Sequence, residues 1–513
     1  MRAAVIDIGS SSTKLAIGEK DGNDMRILEN LRNVIDIGKN TFYHGRISQG
    51  IFDHVISVLE NYKKVIEQYQ VNQVQVIATT AVREASNKDI FLDTISRKTG
   101  YEIEVLNVGD VVYYIDSFLS YELKEEYPIH EKNVLIAELG AGSLDISIMA
   151  KGYTLVNFGI SAGTLRLEQF KEGIDGSRSE IYEALDEYVE QQIMSVRKAF
   201  PNLRFDDIIL IDESHAGALQ SILPGHKHDP SFFKVTHRET KKFLNQIVSS
   251  NLDDLAYKYQ LTPGVADSID IYAVILNKLF KLIKNRYLYV LKTSLSQALL
   301  VNIIFGVELS KKYNKMNQLI SVAKFIGQKY NVDLKHNKFV AGLSEAIFHK
   351  LKDSLGLEDS DLLYLLMATY LHNIGIFINN RSSHKHAEYI INSLSLFRLT
   401  DQEIKMIACI ARYHRRSKPS QTHFLYSSLS DDKQILVQKL SAILRLTNAL
   451  DGSHKQKVKK LEIEIGKDQN IDLIVYTHDN FILEKMEFNN KKEMFEEVSG
   501  SRINLVIRHQ EEA

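Results

Sequence analysis

The sequence predicts an α/β protein followed by an all-α region and a small C-terminal α/β module. A strand–turn–strand pattern occurs twice in the first half of the chain, helical spacing dominates from about residue 263 to 455, and alternating strands return in the tail. At 513 residues the chain is too long for one hydrophobic core, so several domains are expected.

The first α/β part begins with a predicted β-hairpin over residues 1–18, in which Thr13, Leu15 and Ile17 share one face. A helical pattern over residues 50–70 is followed by the strand VQVIAT, a helix over residues 87–100 and the strand EIEVLNV. This β-β-α-β-α-β order predicts helices packed over a mixed sheet.

The second α/β part repeats this order from about residue 133. Strands NVLIAEL and DISIMA come first, then helices through LRLEQF and SEIYEALDEYVEQQIMSVRKAF, and then the strand DIILID. An internal duplication explains the repeat most simply, and two-lobed α/β folds bind ligands in the cleft between the lobes.

The rest of the chain is predicted to be helical before the tail. The run DSIDIYAVILNKLFKLIKNRYLYVLKTSLSQALLVNIIF has helical spacing with almost no strand signal, and its apolar surface around residues 270–305 is sufficient for a homodimer interface. The tail has strands KKLEIEIG, IDLIVYT and INLVIRH around one helix, FILEKMEFNNKKEMFEEV. Six prolines and the lack of a low-complexity linker indicate docked domains, with expected boundaries at 1–130, 131–310, 311–455 and 456–513.

The composition is that of an ordinary globular protein. Apolar residues make up 44% and charged residues 25%, and the formal net charge of −2 predicts no general attraction to nucleic acid or to a membrane. The single cysteine, Cys409, excludes internal disulfides, and the N-terminus has no signal-peptide pattern. A soluble cytoplasmic protein is expected.

Two glycine–serine loops carry the predicted chemistry, VIDIGSSSTKLAI at 5–17 and IAELGAGSLDISI at 136–148. In each, a strand ends in an acidic residue followed by a glycine-containing turn, whose amides and serine hydroxyl suit a phosphate oxygen. The carboxylates of Asp7 and Glu138 suit Mg²⁺, which bridges phosphates and keeps several waters. The alternative is that each loop is only a hairpin turn.

These loops, together with IATTAVREASNKDIFL and SAGTLRL, resemble the exopolyphosphatase/guanosine pentaphosphate phosphatase (Ppx/GppA) family. YLHNIGIFI, SSHKHAEYII and IARYHRRSKPS resemble its HD-like helical domain. The resemblance covers nearly the whole chain. It implies two actin-like (RNase H-like) lobes, a homodimer, and Mg²⁺-dependent release of terminal phosphate from polyphosphate or pppGpp.

The resemblance also implies roles for individual residues. Asp7 matches the acid of the first loop, and Arg83 matches the arginine that contacts phosphate, whose guanidinium fork suits that anion. The alternative for Arg83 is a surface arginine at a helix start. The residues that match the two phosphate loops are Gly9, Ser10, Ser11, Ser12, Gly140, Ala141, Gly142 and Ser143.

The sequence departs from the family at several positions. Asp110 and Val111 stand where the family has two glutamates, the second thought to activate the attacking water. Glu138 and Asp145 exchange the family's aspartate and glutamate, and the expected catalytic residues are therefore Asp110, Glu138 and Asp145. The family's Gly-Gly-Thr is not visible in LIDESHAGALQ. There, Asp212 and Glu213 suggest either a replacement acid pair or, preferably, a solvated loop. An arginine of the family is also replaced, in TPGVADSI.

The helical region resembles an HD-type metal site through His336, His372 and Asp451, but Asn373 stands where the defining aspartate belongs. A neutral amide lacks the charge that a hard cation requires, so independent HD catalysis is not expected, and His372 is expected to be a packing residue. Two basic clusters around residues 384–386 and 412–418 predict either a track for a polyanion or solvated helix ends. The predicted track is His384, Lys385, His386, His414, Arg415 and Arg416.

Three function classes follow. The first is a phosphohydrolase acting on polyphosphate or pppGpp, and the second is a catalytically weakened sensor that binds polyphosphate or guanosine penta- or tetraphosphate. The third, an actin-like kinase or chaperone ATPase, is disfavoured because the second lobe has no clear adenosine-binding glycine motif.

Overall fold

A computed structural model describes residues 1–123, 126–201, 203–223, 225–226, 230–283, 285, 287–415, 417–466 and 470–509. The chain divides into two compact units, Met1–Asn314 and Lys315–Ala513. No helix in these ranges is both long and apolar enough to cross a bilayer.

The first half of the Met1–Asn314 unit, called the first lobe, contains a five-stranded sheet of order β3-β2-β1-β4-β5. Strands β1 and β2 pair antiparallel, as the hairpin prediction requires, whereas β1 and β4 are parallel. The elements are β1 Arg2–Ile8, β2 Ser12–Asp21, β3 Asp24–Val34, α1 Ile37–His44, α2 Gln49–Gln68, β4 Gln73–Ala78, α3 Thr80–Glu84, α4 Lys88–Thr99, β5 Ile103–Val105 and α5 Val108–Glu122.

The second half, called the second lobe, contains a six-stranded sheet of order β10-β11-β9-β6-β7-β8. Read from β8, its first four strands repeat the connectivity and pairing of the first lobe. The elements are β6 Asn133–Leu139, β7 Leu144–Ala150, β8 Tyr153–Ile160, α6 Thr164–Glu172, α7 Arg178–Ala199, β9 Asp207–Ile211, α8 His215–Ile222, β10 Phe232–Thr236, α9 His237–Ser249, α10 Leu252–Tyr259, α11 Pro263–Ala266, α12 Ile269–Leu279, a 3₁₀ turn Phe280–Leu282, β11 Tyr287–Leu291 and α13 Leu295–Lys312.

Helices α5 and α13 form a layer that packs against both sheets. One core cluster joins these helices to Ala3 and Val5 of β1 and to Val134 and Ile136 of β6. Because side chains alternate across a strand, Asp7 and Glu138 point to the same face as these residues. The fold therefore directs both acids into the layer between the sheets.

Two expectations for the middle of the chain were wrong. Residues 287–291, predicted to be helical, form the strand β11, which lies in the interior of the second sheet between β9 and β10. The apolar surface around residues 270–305, predicted to form a dimer interface, is buried within this unit, because α12 and the first turns of α13 are almost wholly enclosed. Strands β3, β8 and β10 were not predicted.

The Lys315–Ala513 unit is a helical array followed by a three-stranded sheet of order β12-β13-β14. The single tail helix expected over 481–498 is two helices in succession. The elements are α14 Lys315–Lys329, α15 Leu334–Leu355, α16 Asp361–Leu371, a 3₁₀ turn Ile374–Phe377, α17 Ser383–Asn392, α18 Asp401–Arg412, α19 Phe424–Ser427, α20 Asp431–Ala449, β12 Lys460–Ile465, β13 Ile471–Thr477, α21 Ile482–Lys491, α22 Glu493–Ser499 and β14 Ile503–His509.

A buried carboxyl group ties α5 to the second lobe. Asp116 of α5 is 0% exposed and accepts hydrogen bonds from Ser147 Oγ at 2.7 Å, Thr154 Oγ1 at 2.9 Å and Tyr313 OH at 3.4 Å. Its Oδ1 has no partner among the described residues. Burial raises the pKa of Asp116 to about 7, because the three hydroxyl donors only partly replace the water lost by the carboxylate.

We expect Asp116 to make the stability of the protein pH-dependent. Its pKa is raised on folding, so the stabilisation is complete below about pH 4 and is lost as pH rises through about 7, by up to about 1.4 kcal/mol per pH unit. Urea unfolding of the full chain at pH 5.5 and 7.5 should show a smaller loss for Asp116→Asn than for the native protein. The exposed Asp93→Asn variant should behave like the native protein, and equal pH dependence in all three would contradict the expectation.

Candidate functional site

The two glycine–serine loops have the same backbone construction. The first loop, residues 9–12, is closed by Gly9 N–H donating to Ser12 O at 3.0 Å, and the second, residues 140–143, by Gly140 N–H donating to Ser143 O at 2.9 Å. Each loop joins antiparallel strands in corresponding register. The duplication therefore reproduces both the closing hydrogen bond of the turn and the register of its strands.

The carbonyl groups of the first loop bond to the segment that leads into α1. Ser10 O accepts from the amide of Gly38 at 2.7 Å. Ser11 O accepts from the amide of Ile35 at 3.2 Å. In a trans peptide the carbonyl and the following N–H point in opposite directions, so the amides of Ser11 and Ser12 point away from that segment. The Ser11 amide has no partner among the described residues.

The carbonyl groups of the second loop bond in the same way to the start of α6. Gly140 O accepts from Thr164 N at 3.1 Å, and Ala141 O accepts from Leu165 N at 2.9 Å. The side chain of Arg166 donates from Nε to Gly142 O at 3.0 Å. These carbonyls are followed by the amides of Ala141, Gly142 and Ser143, which therefore point away from α6. Within the described part of the chain these amides have no partner.

The two loops face each other and nearly touch. Thr80 Oγ1, just after β4, lies 3.0 Å from Ser143 Oγ. A β-carbon added to Gly142 would lie 2.9 Å from Ser10 Oγ and from the side chain of Thr80. Glycine at position 142 is therefore what allows the two loops to approach, and the free amides of both loops border one small region.

The acids that precede the loops, Asp7 and Glu138, have raised pKa values; Asp7 is buried and Glu138 is half-buried. Burial raises the pKa of Asp7 to about 6, although Lys14 opposes the shift. Burial, reinforced by the negative charge of Asp145, raises the pKa of Glu138 to about 8. Oδ1 of Asp7 has no hydrogen-bond partner in the described chain. An added cation would stabilise the ionised forms of both acids and would give Asp7 Oδ1 a partner.

These two carboxylates fit Mg²⁺. Among the described residues, no three histidine, cysteine or acidic side chains converge in a way that would hold a metal. Mg²⁺ does not require such a set, because it is commonly bound by one or two carboxylates with waters and substrate phosphates. The unpartnered oxygen of Asp7 and the destabilised charge of Glu138 are suited to that mode.

Asp145 and Arg83 lie next to the second loop. Asp145 is opposite Glu138 across the β6–β7 hairpin, and one of its oxygens lacks a partner within the described ranges. Burial raises the pKa of Asp145 to about 6, although the positive charge of Arg83 opposes the shift. Arg83 donates to Leu106 O at 2.6 Å and to Thr80 Oγ1 at 3.2 Å. Arg83 is therefore held beside the loops, and it is not the surface arginine of the alternative interpretation.

Lys14 and Glu213 form an ion pair between the lobes that the sequence analysis missed. Lys14 Nζ lies 2.5 Å from Glu213 Oε2, and these side chains are 20% and 27% exposed. The register of the hairpin is the signal that could have identified Lys14, because it places Lys14 opposite Asp7. The expected solvated loop at 212–213 was wrong. Asp212 is only 3% exposed and accepts from Ala216 N at 2.5 Å.

Asp110 and Val111 occupy the first turn of α5. Asp110 Oδ2 accepts from Asn107 N at 3.3 Å, and Asn107 Oδ1 accepts from Asp110 N at 2.9 Å, which is a reciprocal helix cap. Val111 is 2% exposed and belongs to the core cluster of α5 and α13. Val111, which the resemblance matched to the family's second glutamate, is thus apolar and enclosed, while Asp110 stays a predicted catalytic residue.

The HD-like residues come together in the second unit but bind one another. His336 Nδ1 lies 2.8 Å from Asp451 Oδ2, and the rings of His336 and His372 are 5.7 Å apart. His372 is buried and its Nδ1–H donates to Thr369 O at 2.7 Å, but its Nε2 has no partner among the described residues, so the packing role stays a prediction. Asn373 is also buried. The HD-like assignment itself stays a prediction.

The predicted polyanion track is only partly at the surface. His414 was wrongly placed in it, because it is 1% exposed, its Nδ1–H donates to Ala411 O, and its ring packs on that of His372. Arg416 lies outside the described residues. The remaining four stay predictions, namely His384, Lys385, His386 and Arg415. Burial lowers the pKa of His384, and the positive charge of Arg412, followed by the charges of the other three, lowers it further.

Family models match most of the chain. The model described as Ppx/GppA phosphatase family matches residues 16–304, and the model described as Ppx/GppA phosphatase, domain III, matches residues 319–492.

Among curated proteins, the chain is 21% identical over 448 residues to a guanosine-5'-triphosphate,3'-diphosphate pyrophosphatase of Vibrio vulnificus, covering 86% of each chain. It is 24% identical over 182 residues to exopolyphosphatase 1 of Mycobacterium bovis, covering 35% of this chain and 52% of that protein.

Solved structures share the fold. A Ppx/GppA family member of Aquifex aeolicus superposes with a TM-score of 0.52 at 22% identity, covering 60% of this chain and 98% of its own. An exopolyphosphatase of Cytophaga hutchinsonii has a TM-score of 0.53 at 20% identity, covering 60% of this chain and 99% of its own. The likeness shows that about 60% of this chain shares the fold of these two proteins.

Substituting Val111 by glutamate should destabilise the protein and leave phosphate release no higher. The carboxylate would enter the apolar cluster around α5 and α13, at a cost of about 3 kcal/mol or more. Urea unfolding and phosphate release should be measured together, with Val111→Ala as the apolar control. A stable Val111→Glu protein with raised activity would contradict this placement.

Substituting Gly142 by alanine should push the loops apart. The added methyl would meet Ser10 and Thr80 at 2.9 Å, which we expect to cost about 1–3 kcal/mol and to weaken anion binding. Gly264→Ala is the matched control, since no atom would lie within 4 Å of a β-carbon added there. Calorimetric titration with tripolyphosphate checks the result, and equal affinities for both variants would contradict it.

Proposed function

Because the chain belongs to the Ppx/GppA phosphatase family, we propose that it releases the terminal phosphate of inorganic polyphosphate or of pppGpp, with Mg²⁺, between its two lobes. The family is one of acid anhydride hydrolases, and relatives carry both names, exopolyphosphatase and guanosine-5'-triphosphate,3'-diphosphate pyrophosphatase. The two names leave the choice of substrate to experiment.

One observation carries the proposal, namely the free amides on two facing loops. The amides of Ser11, Ala141, Gly142 and Ser143 have no protein acceptor in the described chain, and the flanking segments bind the carbonyls on the other side. Oxygen atoms of a phosphate are the acceptors that such a set of N–H groups binds. The guanidinium of Arg83, next to the second loop, adds a fixed positive charge.

Asp7 and Glu138 are the residues that would hold Mg²⁺. When bound, the ion would neutralise charge on the phosphate oxygens as the terminal bond breaks. The protein's own part is positioning. The closed turns fix the amides, and β1 and β6 hold the two carboxylates on the face between the sheets.

Asp145 is the residue best suited to accept a proton from the attacking water. It has an oxygen without a protein partner in the described chain, and burial raises its pKa to about 6, close enough to neutrality for a base that is still ionised at pH 7. The other two predicted catalytic residues fit less well. Asp110 caps a helix, and the raised pKa of Glu138 favours its protonated form in the metal-free protein.

A second candidate function is a sensor that binds these anions without turning them over. The specific observation in its favour is Val111, which is enclosed in the core at the position of the family's second glutamate. A sensor of this kind retains the loops and the arginine, and therefore the affinity, while the chemical step is slow.

Purified full-length protein with polyphosphate or pppGpp and Mg²⁺ tests the proposal through released phosphate and, in parallel, through calorimetric binding. We expect turnover that falls on the order of 10²-fold in Asp7→Asn, while Asp93→Asn, a surface acid, leaves turnover unchanged. Binding without turnover in every protein would support the sensor. Neither binding nor turnover would contradict both functions.

A further inference from the structure

We infer that Glu213 is a specificity-determining residue. It forms an ion pair with Lys14 in the absence of ligand, so that only a strongly anionic phosphate ligand displaces Glu213 from Lys14. The inference rests on the proposed function, because it concerns the same site. Its starting point is the ion pair of 2.5 Å between Lys14 Nζ and Glu213 Oε2, which joins the first lobe to the second.

Lys14 is placed where a phosphate chain between the loops would meet it. It lies two residues beyond the first loop on β2, opposite Asp7. Its positive charge also acts on Glu138 of the second lobe. Lys14 thus acts on both acids that precede the loops, and a phosphate oxygen that bound it would have to replace the carboxylate of Glu213.

The backbone of Glu213 is fixed by its neighbours. Asp212 Oδ2 accepts from Ala216 N, and its Oδ1 lies 3.3 Å from His215 Nδ1. On the far side of the ring, His215 Nε2 lies 2.9 Å from Ser268 Oγ. This buried chain anchors the turn, while the Glu213 side chain remains partly exposed. Glu213 is therefore held at a constant position from which its side chain is able to rotate away.

The consequence is selection by charge. The Glu213 carboxylate competes with an incoming anion for Lys14. Once displaced from Lys14, the unpaired carboxylate repels that anion. A ligand with few charges recovers little by displacing it. A linear polyphosphate, or a nucleotide with several phosphates, brings enough negative charge to replace the pair and to bind the free amides at the same time.

Calorimetric titration of the full-length protein with tripolyphosphate tests the inference. We expect Glu213→Gln, which keeps the shape and removes the charge, to bind about 5- to 10-fold more tightly at about 50 mM salt. The gain should shrink at about 500 mM salt, where exposed charges are screened. Long-chain polyphosphate, with charge to spare, should gain less than tripolyphosphate. Glu213→Ala should reproduce the gain if glutamine distorts the turn.

The matched control is Glu308→Gln. It removes another ion pair between the lobes, Glu308 Oε1 to Lys20 Nζ at 3.1 Å, without touching Lys14 or either loop. Tighter binding by Glu308→Gln as well would overturn the inference, because general loosening of the lobes would explain both. Adding Lys14→Met to Glu213→Gln should abolish the gain. Native protein that binds tripolyphosphate as well as Glu213→Gln overturns the inference alone, whereas no binding by any protein overturns the proposed function with it.

Discussion

The hydrogen bonds that turn the loop carbonyls outward determine everything else in the site. Each loop is closed by one glycine amide, and its remaining carbonyls are bound by the segment that follows, Ile35–Gly38 in one lobe and Thr164–Arg166 in the other. Trans peptide geometry then leaves the amides on the opposite side. The frame itself is built from main-chain atoms, except for the Arg166 side chain that binds Gly142 O, and other side chains contribute around it.

The frame is held in place by the layer between the sheets. Helices α5 and α13 contribute much of one core cluster, which continues onto β1, β6 and β9, so the two lobes share a hydrophobic interior. Asp116 adds a polar tie within it, linking α5 to β7, β8 and the end of α13. The same layer encloses Val111. A side chain at that position contributes to the fold of the unit, and the proposed chemistry depends on the acids at the strand ends.

Local pattern was enough to predict the two hairpins, six helices of the first unit (α2, α4, α6, α7, α12 and α13), the helical region and the C-terminal strands, because each has clear periodicity or a glycine turn. It failed for residues 287–291, because their apolar run suits a helix and a buried strand equally. Only the pairing with the neighbouring strands β9 and β10 makes this segment a strand. In the site, the two loops were predicted from the residue types and Arg83 from the resemblance to the family, and their roles stay predictions. Glu213 was not, because its partner is 199 residues away. His414 was misplaced because a basic neighbourhood in sequence does not reveal which side of a helix end packs inward.

The duplicated hairpins share one shape but differ in charge at one corresponding position. Lys14 stands opposite Asp7, whereas Asp145 stands opposite Glu138. A linear ligand lying between the lobes therefore has a nearly neutral pair on one side and two acids on the other. Turning the ligand end for end would exchange these surroundings, so its two orientations differ in energy. A repeated backbone motif thus gains a direction, and the two ends of a bound molecule are not equivalent.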